Sequence, residues 1–254
     1  MIHNSEAGYH ALLRLAGFGT PPEFGLIDMI KAIVFDFDGV ILESTKIKTE
    51  AFATLFSNYP GHLEKIVRLH LDNAGISRFE KFKIIYRDYI GYEIDDEELI
   101  HLGNLFSNLI YDRILCCPFV PGAYEFLEKH FGKYHYYIAS GVPEYELRDI
   151  IKQRNIGKFF IGIYGSPETK TQMLIEIISR NNYKYGEVIF IGDSEADYLG
   201  ANEASVPFIG RVPKGSESPF PNDEDIIMIV EDLWQFDKGL SHLDIKLASA
   251  NKGG

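Results

Sequence analysis

The feature that most constrains this chain is the alternation of short apolar runs with longer stretches of helical periodicity. The first run, at residues 31–37 (KAIVFDF), closes on the turn dipeptide Asp38-Gly39 and predicts a buried strand. Further strand-like runs lie at residues 134–139, 159–164, 187–191 and 226–230, and helical stretches lie near residues 121–131, 143–155, 169–182 and 194–203. Alternating strands and helices predict an α/β fold with a parallel sheet covered on both faces.

One long segment interrupts this alternation. From about residue 45 to residue 117 the apolar spacing is helical, with a capping-box sequence from Ser77 to Glu80 and a helix-capping Asp95. We therefore predict an α/β core formed by residues 29–44 and 118–240, with a helical insert at residues 45–117. Residues 1–28 are predicted to be an N-terminal extension of uncertain order, or a misassigned start before Met29. Residues 241–254 are predicted to be a flexible tail.

Charge and composition exclude several functional classes. The 254 residues carry 25 Lys and Arg against 37 Asp and Glu, a net charge of −12, which argues against a nucleic-acid partner. We find no signal-peptide pattern and no apolar run of about 18 residues, so no membrane association is expected. Adjacent Cys116 and Cys117 rarely reach disulfide geometry and predict reduced thiols in a cytoplasmic protein.

Polar residues follow several of the predicted strands. The carboxyl ends of parallel strands share one edge of the sheet, where ligands bind in open α/β folds. The residues at these positions are Asp36, Asp38, Ser140, Ser166 followed by Lys170, and Asp193 followed by Asp197. The sequence thus predicts that carboxylates, a hydroxyl and an ammonium group meet at this edge.

Some of these residues have ordinary structural explanations, and others do not. Asp38 suits a turn before glycine, and Asp197 completes a capping box with Ser194. Asp36 interrupts an apolar run, where an unpaired carboxylate is costly, and a magnesium ion would explain it. A lysine in the first turn of a helix opposes the helix dipole, so Lys170 is a candidate for function.

The ordered set resembles the haloacid dehalogenase superfamily. Within it, the set is most similar to the magnesium-dependent phosphatases, such as phosphoglycolate phosphatase, and to the related β-phosphoglucomutase. The resemblance covers about residues 31–240 and rests on Asp36-Phe-Asp38-Gly39-Val40, Ser140-Gly141, Lys170 and the segment from Gly192 to Asp197. It implies a Rossmann-like parallel-sheet core with an inserted α-helical cap domain, which here corresponds to residues 45–117.

The resemblance also implies a role for each motif residue. Asp36 becomes the nucleophile that forms an aspartyl phosphate, and Asp38 acts as acid and then base. Phosphate binding falls to Ser140, Gly141 and Lys170. Binding of Mg²⁺ falls to Asp36, Asp38 (through its carbonyl), Asp193 and Asp197, the last either directly or as a support. Because the halide-removing members lack an acid at the position of Asp38, phosphoryl transfer is favoured over dehalogenation.

The insert is expected to determine specificity. Arg78 and Lys81 open a predicted helix near a loop and are the candidate specificity residues. If this loop faces the core, Arg78 binds a second anionic or polyhydroxyl part of the substrate; otherwise both residues lie on a solvated helix face. His70 is expected to be a surface or helix residue. The aromatic residues at helical spacing, Phe79, Phe82, Tyr86 and Tyr89, are expected to form the core of the insert.

The sequence therefore predicts a Mg²⁺-dependent phosphatase acting on a small phosphorylated metabolite, either a sugar phosphate or a phospho-acid. One alternative is a phosphosugar mutase of the same fold, although no His–Lys pair in the cap is evident from the sequence. Another is a non-catalytic binding or regulatory protein, against which the complete set of acids argues. The sequence leaves the substrate and the oligomeric state open.

Overall fold

The structure, a computed structural model, describes residues 30–184, 186–223 and 225–240. The predictions for residues 1–28, for a start at Met29 and for the tail at residues 241–254 lie outside the described residues.

Six strands form the sheet at the centre of the molecule. They are β1 (Ala32–Phe35), β2 (His135–Pro143), β3 (Phe160–Ser166), β4 (Val188–Gly192), β5 (Phe208–Arg211) and β6 (Ile226–Val230). Their order is β3-β2-β1-β4-β5-β6, and every neighbouring pair is parallel. This arrangement confirms the α/β fold class. One strand, the four-residue β5 directly after Pro207, was not predicted from the sequence.

Helices precede and follow the strands. Those between β1 and β2 are α1 (Thr45–Leu55), α2 (Leu63–Asp72), α3 (Arg78–Ile85), a π-helical turn (Tyr86–Ile90) and α4 (Asp96–Cys116), followed by α5 (Ala123–Lys129). Those after β2 are α6 (Glu144–Gln153), a 3₁₀ turn (Gly157–Phe159), α7 (Lys170–Asn181), α8 (Glu195–Glu203) and a helical segment at residues 233–240. The helical insert therefore lies in the connection between β1 and β2.

Side chains alternate between the two faces of the sheet and build two cores. On β1, Val34 faces a cluster that includes residues of α7 and α8, while Phe35 faces a larger cluster on the opposite side. This larger cluster continues into the insert through Phe52, Phe82 and Phe106, which are all buried. The core of the insert is thus continuous with the core on one side of the sheet.

Side-chain caps fix the starts of several helices. The Asp95 carboxylate accepts a hydrogen bond from the backbone N–H of Glu98 at 2.8 Å, as predicted. At α3 the hydroxyl of Ser77 accepts from the N–H of Phe79, but the predicted reciprocal bond from Glu80 is absent. The Glu80 carboxylate instead accepts from Lys83 one turn later, because both side chains are exposed on the same face of the helix.

Two further predictions concern the whole chain. No helix in the described ranges is long and apolar enough to cross a membrane. Cys116 is exposed and Cys117 is buried, and neither forms a disulfide.

Candidate active site

The site lies at the carboxyl end of β1, where the strand order reverses. β1 is flanked by β2 and β4, so Phe35 pairs with both Ile138 and Ile191. The next residue, Asp36, donates its backbone N–H to the carbonyl of Ile191 at 2.8 Å. Helical connections leave this edge toward opposite faces of the sheet, and the resulting crevice is where open α/β folds bind ligands.

Lys170 joins two of the predicted carboxylates. It is the first residue of α7, and its Nζ lies 2.7 Å from Asp36 Oδ1 and 2.6 Å from Asp197 Oδ1. It also donates to the carbonyl of Ala139 at 2.8 Å. With three acceptors around one buried ammonium group, Lys170 is held by tertiary contacts that outweigh its unfavourable place in the helix dipole.

Both oxygens of Asp197 are engaged. Oδ1 contacts Lys170, and Oδ2 accepts from the hydroxyl of Ser194 at 2.6 Å and from the Ser194 N–H at 3.2 Å. This is the predicted capping box at the start of α8. Asp197 is therefore arranged to orient Lys170, and its direct role at a metal stays a prediction.

Asp193 has the opposite character. Its carboxylate makes no hydrogen bond or ion pair with any described residue, while burial and the nearby charges of Asp36 and Asp197 raise its pKa well above the ordinary value. Gly39 makes room for it: at φ +72°, a Cβ on Gly39 would lie 1.9 Å from Asp193 Oδ2.

These acids fit a divalent cation. Carboxylate oxygens of Asp36, Asp193 and Asp197 lie within 4.8 Å of one another. Mg²⁺ prefers oxygen ligands. A bound cation would also offset the electrostatic repulsion between Asp193 and the neighbouring carboxylates of Asp36 and Asp197. The residues present therefore fit the metal that the sequence predicted.

Asp38 is held by residues that the sequence analysis did not single out. Its Oδ1 accepts from the hydroxyl of Ser44 at 2.5 Å, and its Oδ2 pairs with the ammonium group of Lys48 on α1. Burial alone would raise the pKa of Asp38, but Lys48 and Ser44 outweigh it and hold the pKa below its usual range. Asp38 is therefore a carboxylate at neutral pH in this arrangement.

Asp36 is more completely removed from solvent than Asp38. Its residue is only 3% exposed, and burial raises its pKa to about 7 despite the opposing charge of Lys170. The pKa of Lys170 itself is raised, because the attraction of Asp197 and Asp36 outweighs its burial. The lysine therefore stays charged and favours the ionised form of its partners.

The predicted phosphate-binding residues face the insert. Ser140 is fully buried, and its hydroxyl accepts from the N–H of Val142 at 3.3 Å. A Cβ on the adjacent Gly141 would lie 2.6 Å from the carbonyl oxygen of Gly75, which belongs to the loop before α3. The insert thus touches the core backbone directly and closes over the site.

A cleft lies between the two regions. Its lining includes the core residues Asp36, Asp38, Ser140, Gly141 and Asp193, and the insert residues Lys48, Phe52, His70, Gly75, Arg78, Lys81 and Phe106. The predicted specificity residues Arg78 and Lys81 both belong to it, and the insert supplies most of its positive charge.

Arg78 is already neutralised. Its guanidinium donates to Glu146 Oε1 at 2.7 Å and to the hydroxyl of Ser107 at 2.8 Å, and Ser107 donates to Glu146 Oε2 at 2.6 Å. Glu146 lies on α6 of the core, whereas Arg78 and Ser107 lie on α3 and α4. The arginine therefore joins the insert to the core through a buried ion pair.

Lys81 and His70 form a pair that was not evident from the sequence. His70 lies on α2 and is buried, with its ring stacked 4.1 Å from that of Phe52. Lys81 Nζ lies 3.3 Å from His70 Nδ1 and 3.3 Å from the His70 carbonyl oxygen. The structure thus corrects the view that the cap holds no His–Lys pair.

Lys48, Glu146 and the contact between His70 and Lys81 were not predicted from the sequence. Lys48 and Glu146 lie on helices, where a charged residue is ordinarily predicted to be exposed to solvent, and neither belongs to a local sequence motif. Lys48 follows Asp38 by ten residues, a spacing that does not by itself predict contact.

The sequence of the chain is similar to those of known hydrolases. The family model described as "Haloacid dehalogenase-like hydrolase" matches residues 33–211. The chain is also 27% identical over 199 residues to a phosphoglycolate phosphatase from Vibrio parahaemolyticus, covering 71% of this chain and 83% of that protein.

Solved structures share the fold. A putative β-phosphoglucomutase from Bacteroides vulgatus superposes with a TM-score of 0.71 at 16% identity, covering 95% of this chain and 98% of that one. The putative HAD-hydrolase YfnB from Bacillus subtilis, whose structure is bound to magnesium, gives a TM-score of 0.60 at 16% identity over 84% and 99% of the two chains. These findings confirm the predicted enzyme class, a phosphoric monoester hydrolase. The chain belongs to the haloacid dehalogenase-like hydrolase family.

Proposed function

We propose that this protein is a Mg²⁺-dependent phosphatase that hydrolyses a small phosphomonoester, either a sugar phosphate or a phospho-acid, through an aspartyl-phosphate intermediate. The observation that carries the proposal is the buried cluster at the end of β1. There Lys170 contacts Asp36 and Asp197, the carboxylate of Asp193 has no partner among the described residues, and Asp38 is held by Lys48.

Asp36, Asp193 and the carbonyl of Asp38 would hold the metal, with Asp197 supporting the site through Lys170. When bound, Mg²⁺ supplies positive charge that offsets the transferring phosphoryl group. The magnesium bound to the Bacillus subtilis protein and the phosphoglycolate phosphatase relative both support this assignment.

In the first step, an oxygen of Asp36 forms a bond to phosphorus while the bond between phosphorus and the leaving oxygen breaks. Lys170 offsets the repulsion between the Asp36 carboxylate and the phosphate dianion, which is the main electrostatic obstacle in this reaction. Ser140 and the backbone at Gly141 would hold phosphoryl oxygens, since both line the cleft beside Asp36.

Asp38 would move the protons. The arriving phosphate dianion raises the pKa of Asp38 against the effect of Lys48, which favours a protonated form able to donate to the leaving oxygen. Asp38 then takes a proton from the water that attacks the aspartyl phosphate. The contacts from Lys48 and Ser44 favour the carboxylate that this second step needs.

Replacement of the proposed nucleophile, Asp36, is the most direct test of the proposed function. We expect Asp36→Asn to lower Mg²⁺-dependent phosphate release by at least about 10⁴-fold, because a neutral amide oxygen does not form the covalent intermediate. The substrate is taken from a panel of small phosphometabolites, with released inorganic phosphate as the readout. Asp112→Asn, a change at an exposed aspartate on α4, is the matched control and should retain activity. Retention of activity by Asp36→Asn would reject the proposal.

A phosphosugar mutase is the second candidate, and the His70–Lys81 pair in the insert favours it. The structural similarity to the Bacteroides vulgatus protein supports the same reading. The two activities differ in product: a mutase converts one phosphosugar into its isomer, while a phosphatase releases inorganic phosphate. Analysis of the products by ³¹P NMR separates them. Mg²⁺ binding without turnover of any member of the panel would favour a non-catalytic role instead.

A further inference from the structure

The insert presents three cations to the cleft, Lys48, Arg78 and Lys81. Two of them are already paired with carboxylates, Lys48 with Asp38 and Arg78 with Glu146. Lys81 forms no ion pair with any carboxylate in the part of the chain that the structure describes. It is therefore the cation in this wall whose charge is left for a ligand.

No carboxylate among the described residues pairs with Lys81. Asp38 and Asp193 attract it from a distance, but burial and the charge of Lys48 outweigh that attraction. Lys81 is only 4% exposed, and its Nζ contacts the imidazole and the carbonyl oxygen of His70. Burial and the charge of Lys81 lower the pKa of His70 to about 3, so the ring is neutral at neutral pH. The ring and the carbonyl orient the ammonium group but supply no negative charge.

This arrangement is expensive for a purely structural lysine. Burial, reinforced by Lys48, lowers the pKa of Lys81 to about 7, and a buried cation without a counter-ion destabilises a folded chain. An apolar residue would fill the same space beside Phe52 without that cost. Residues that weaken the fold while lining a cleft are candidates for ligand binding.

We propose that Lys81, positioned by His70, binds a second anionic group of the substrate, so that the enzyme prefers phosphomonoesters carrying a carboxylate or a second phosphate. This inference rests on the proposed phosphatase function and identifies which substrates suit it. It also separates the two residues that the sequence analysis grouped together, because Arg78 is committed to Glu146 whereas Lys81 is not.

The position of the pair suits this role. Lys81 and His70 line the same cleft as Asp36 and Ser140, but they do so from the insert. A substrate whose phosphoryl group lies against Asp36 would therefore extend its remaining part toward Lys81. A negative group at that end of the substrate would neutralise the charge of Lys81, as Glu146 neutralises that of Arg78.

The test compares Lys81→Met with Lys83→Met in the full chain with Mg²⁺. Lys83 lies on the same helix, is exposed and pairs with Glu80, so its change is a matched control. The probes are 2-phosphoglycolate, ethylene glycol bisphosphate and 2-hydroxyethyl phosphate. They carry a carboxylate, a second phosphate and a neutral hydroxyl, respectively, at the end far from the reacting phosphate.

We expect Lys81→Met to lower kcat/KM by about tenfold or more for the anionic probe that the wild type prefers, mainly through KM. For 2-hydroxyethyl phosphate we expect a change of less than about twofold, and for Lys83→Met no selective change. The preferred anionic probe distinguishes a carboxylate ligand from a second phosphate. The Tm of Lys81→Met should be no lower than that of the wild type, which a merely structural role would not produce.

Equal losses for the charged and neutral probes, or equal wild-type activity on all three, would overturn the inference while leaving the phosphatase function intact. Absence of turnover of every probe and of the wider panel by the wild type would instead reject the phosphatase function. If Lys81→Met does not fold, Lys81→Gln retains polarity at the site and provides the same comparison.

Discussion

The two walls of the cleft leave opposite charges unbalanced. Behind the core wall, buried Lys170 is shared between Asp36 and Asp197. In the wall itself, the carboxylate of Asp193 has no hydrogen bond or ion pair with any described residue. In the insert wall, Arg78 is balanced by Glu146, whereas the ammonium group of Lys81 contacts His70 but pairs with no carboxylate among the described residues. The core is thus arranged to receive a cation and the insert to receive an anion. A metal and a doubly anionic substrate would satisfy both walls at once.

We expect the largest effect from removing Lys170, the buried cation behind the core wall. We expect Lys170→Met to lower turnover by about 10³-fold or more, because the phosphate dianion then meets uncompensated carboxylates. It should also lower the free energy of unfolding by about 3–5 kcal/mol without Mg²⁺, since Asp36 and Asp197 lose their buried partner. Urea unfolding with and without Mg²⁺ measures this, and saturating Mg²⁺ should reduce the loss. An unchanged stability would show that the buried pairs contribute little.

The next test concerns the ion pair between the walls. Glu146→Gln leaves the Arg78 guanidinium buried without its counter-ion, so we expect it to lower the free energy of unfolding by about 3 kcal/mol. Adding Arg78→Met to that variant should recover much of the loss, because no buried charge then remains. Urea unfolding of the two single variants and the double variant gives the coupling between the residues. Additive losses would mean that the pair is not coupled.

The smallest expected change in the free energy of unfolding is an increase, and it results from replacing Lys81. We expect Lys81→Met to raise the free energy of unfolding by about 1–3 kcal/mol at about pH 6, because a buried unpaired cation is removed. In the wild type the folded pKa of about 7 lies below the unfolded value. Between these values the unfolded chain binds the proton that the folded chain has released, so wild-type stability rises with pH.

The advantage of Lys81→Met should therefore shrink between about pH 6 and about pH 9. Lys83→Met is exposed and should show no such pH dependence relative to the wild type. Denaturant unfolding at the two pH values checks this. An advantage for Lys81→Met that stayed constant across the range would mean that Lys81 does not titrate in it.

The core was more predictable from the sequence than the insert. Five of the six strands were anticipated because buried parallel strands are continuous apolar runs. The short β5 carried too little signal, since its four residues become a strand only through pairing with β4 and β6. The site residues at the strand ends could be identified from the sequence, because the carboxyl ends of parallel strands lie at one edge of the sheet. The same geometry brings these residues together in the structure.

The contacts of the insert depend on how it lies against the core, and sequence periodicity does not encode that placement. Arg78 and Glu146 are 68 positions apart, and neither position carries a motif that names the other. The hydrogen bonds of Lys81 to His70 likewise join two helices whose approach is determined by the packing of Phe52 and its neighbours. Helical periodicity predicts which side of each helix is apolar but not which distant residue it meets.

The contact between Gly75 and Gly141 has an evolutionary consequence. A side chain on Gly141 would collide with the carbonyl of Gly75, and Gly75 at φ +83° has the Ser194 hydroxyl 2.3 Å from where its own Cβ would lie. At this point the insert and the core meet backbone against backbone, beside the ion pair of Arg78 and Glu146. Lys81 takes part in neither contact. A lineage that retains both glycines and the ion pair is therefore free to exchange Lys81 and acquire new substrates without changing how the two regions fit together.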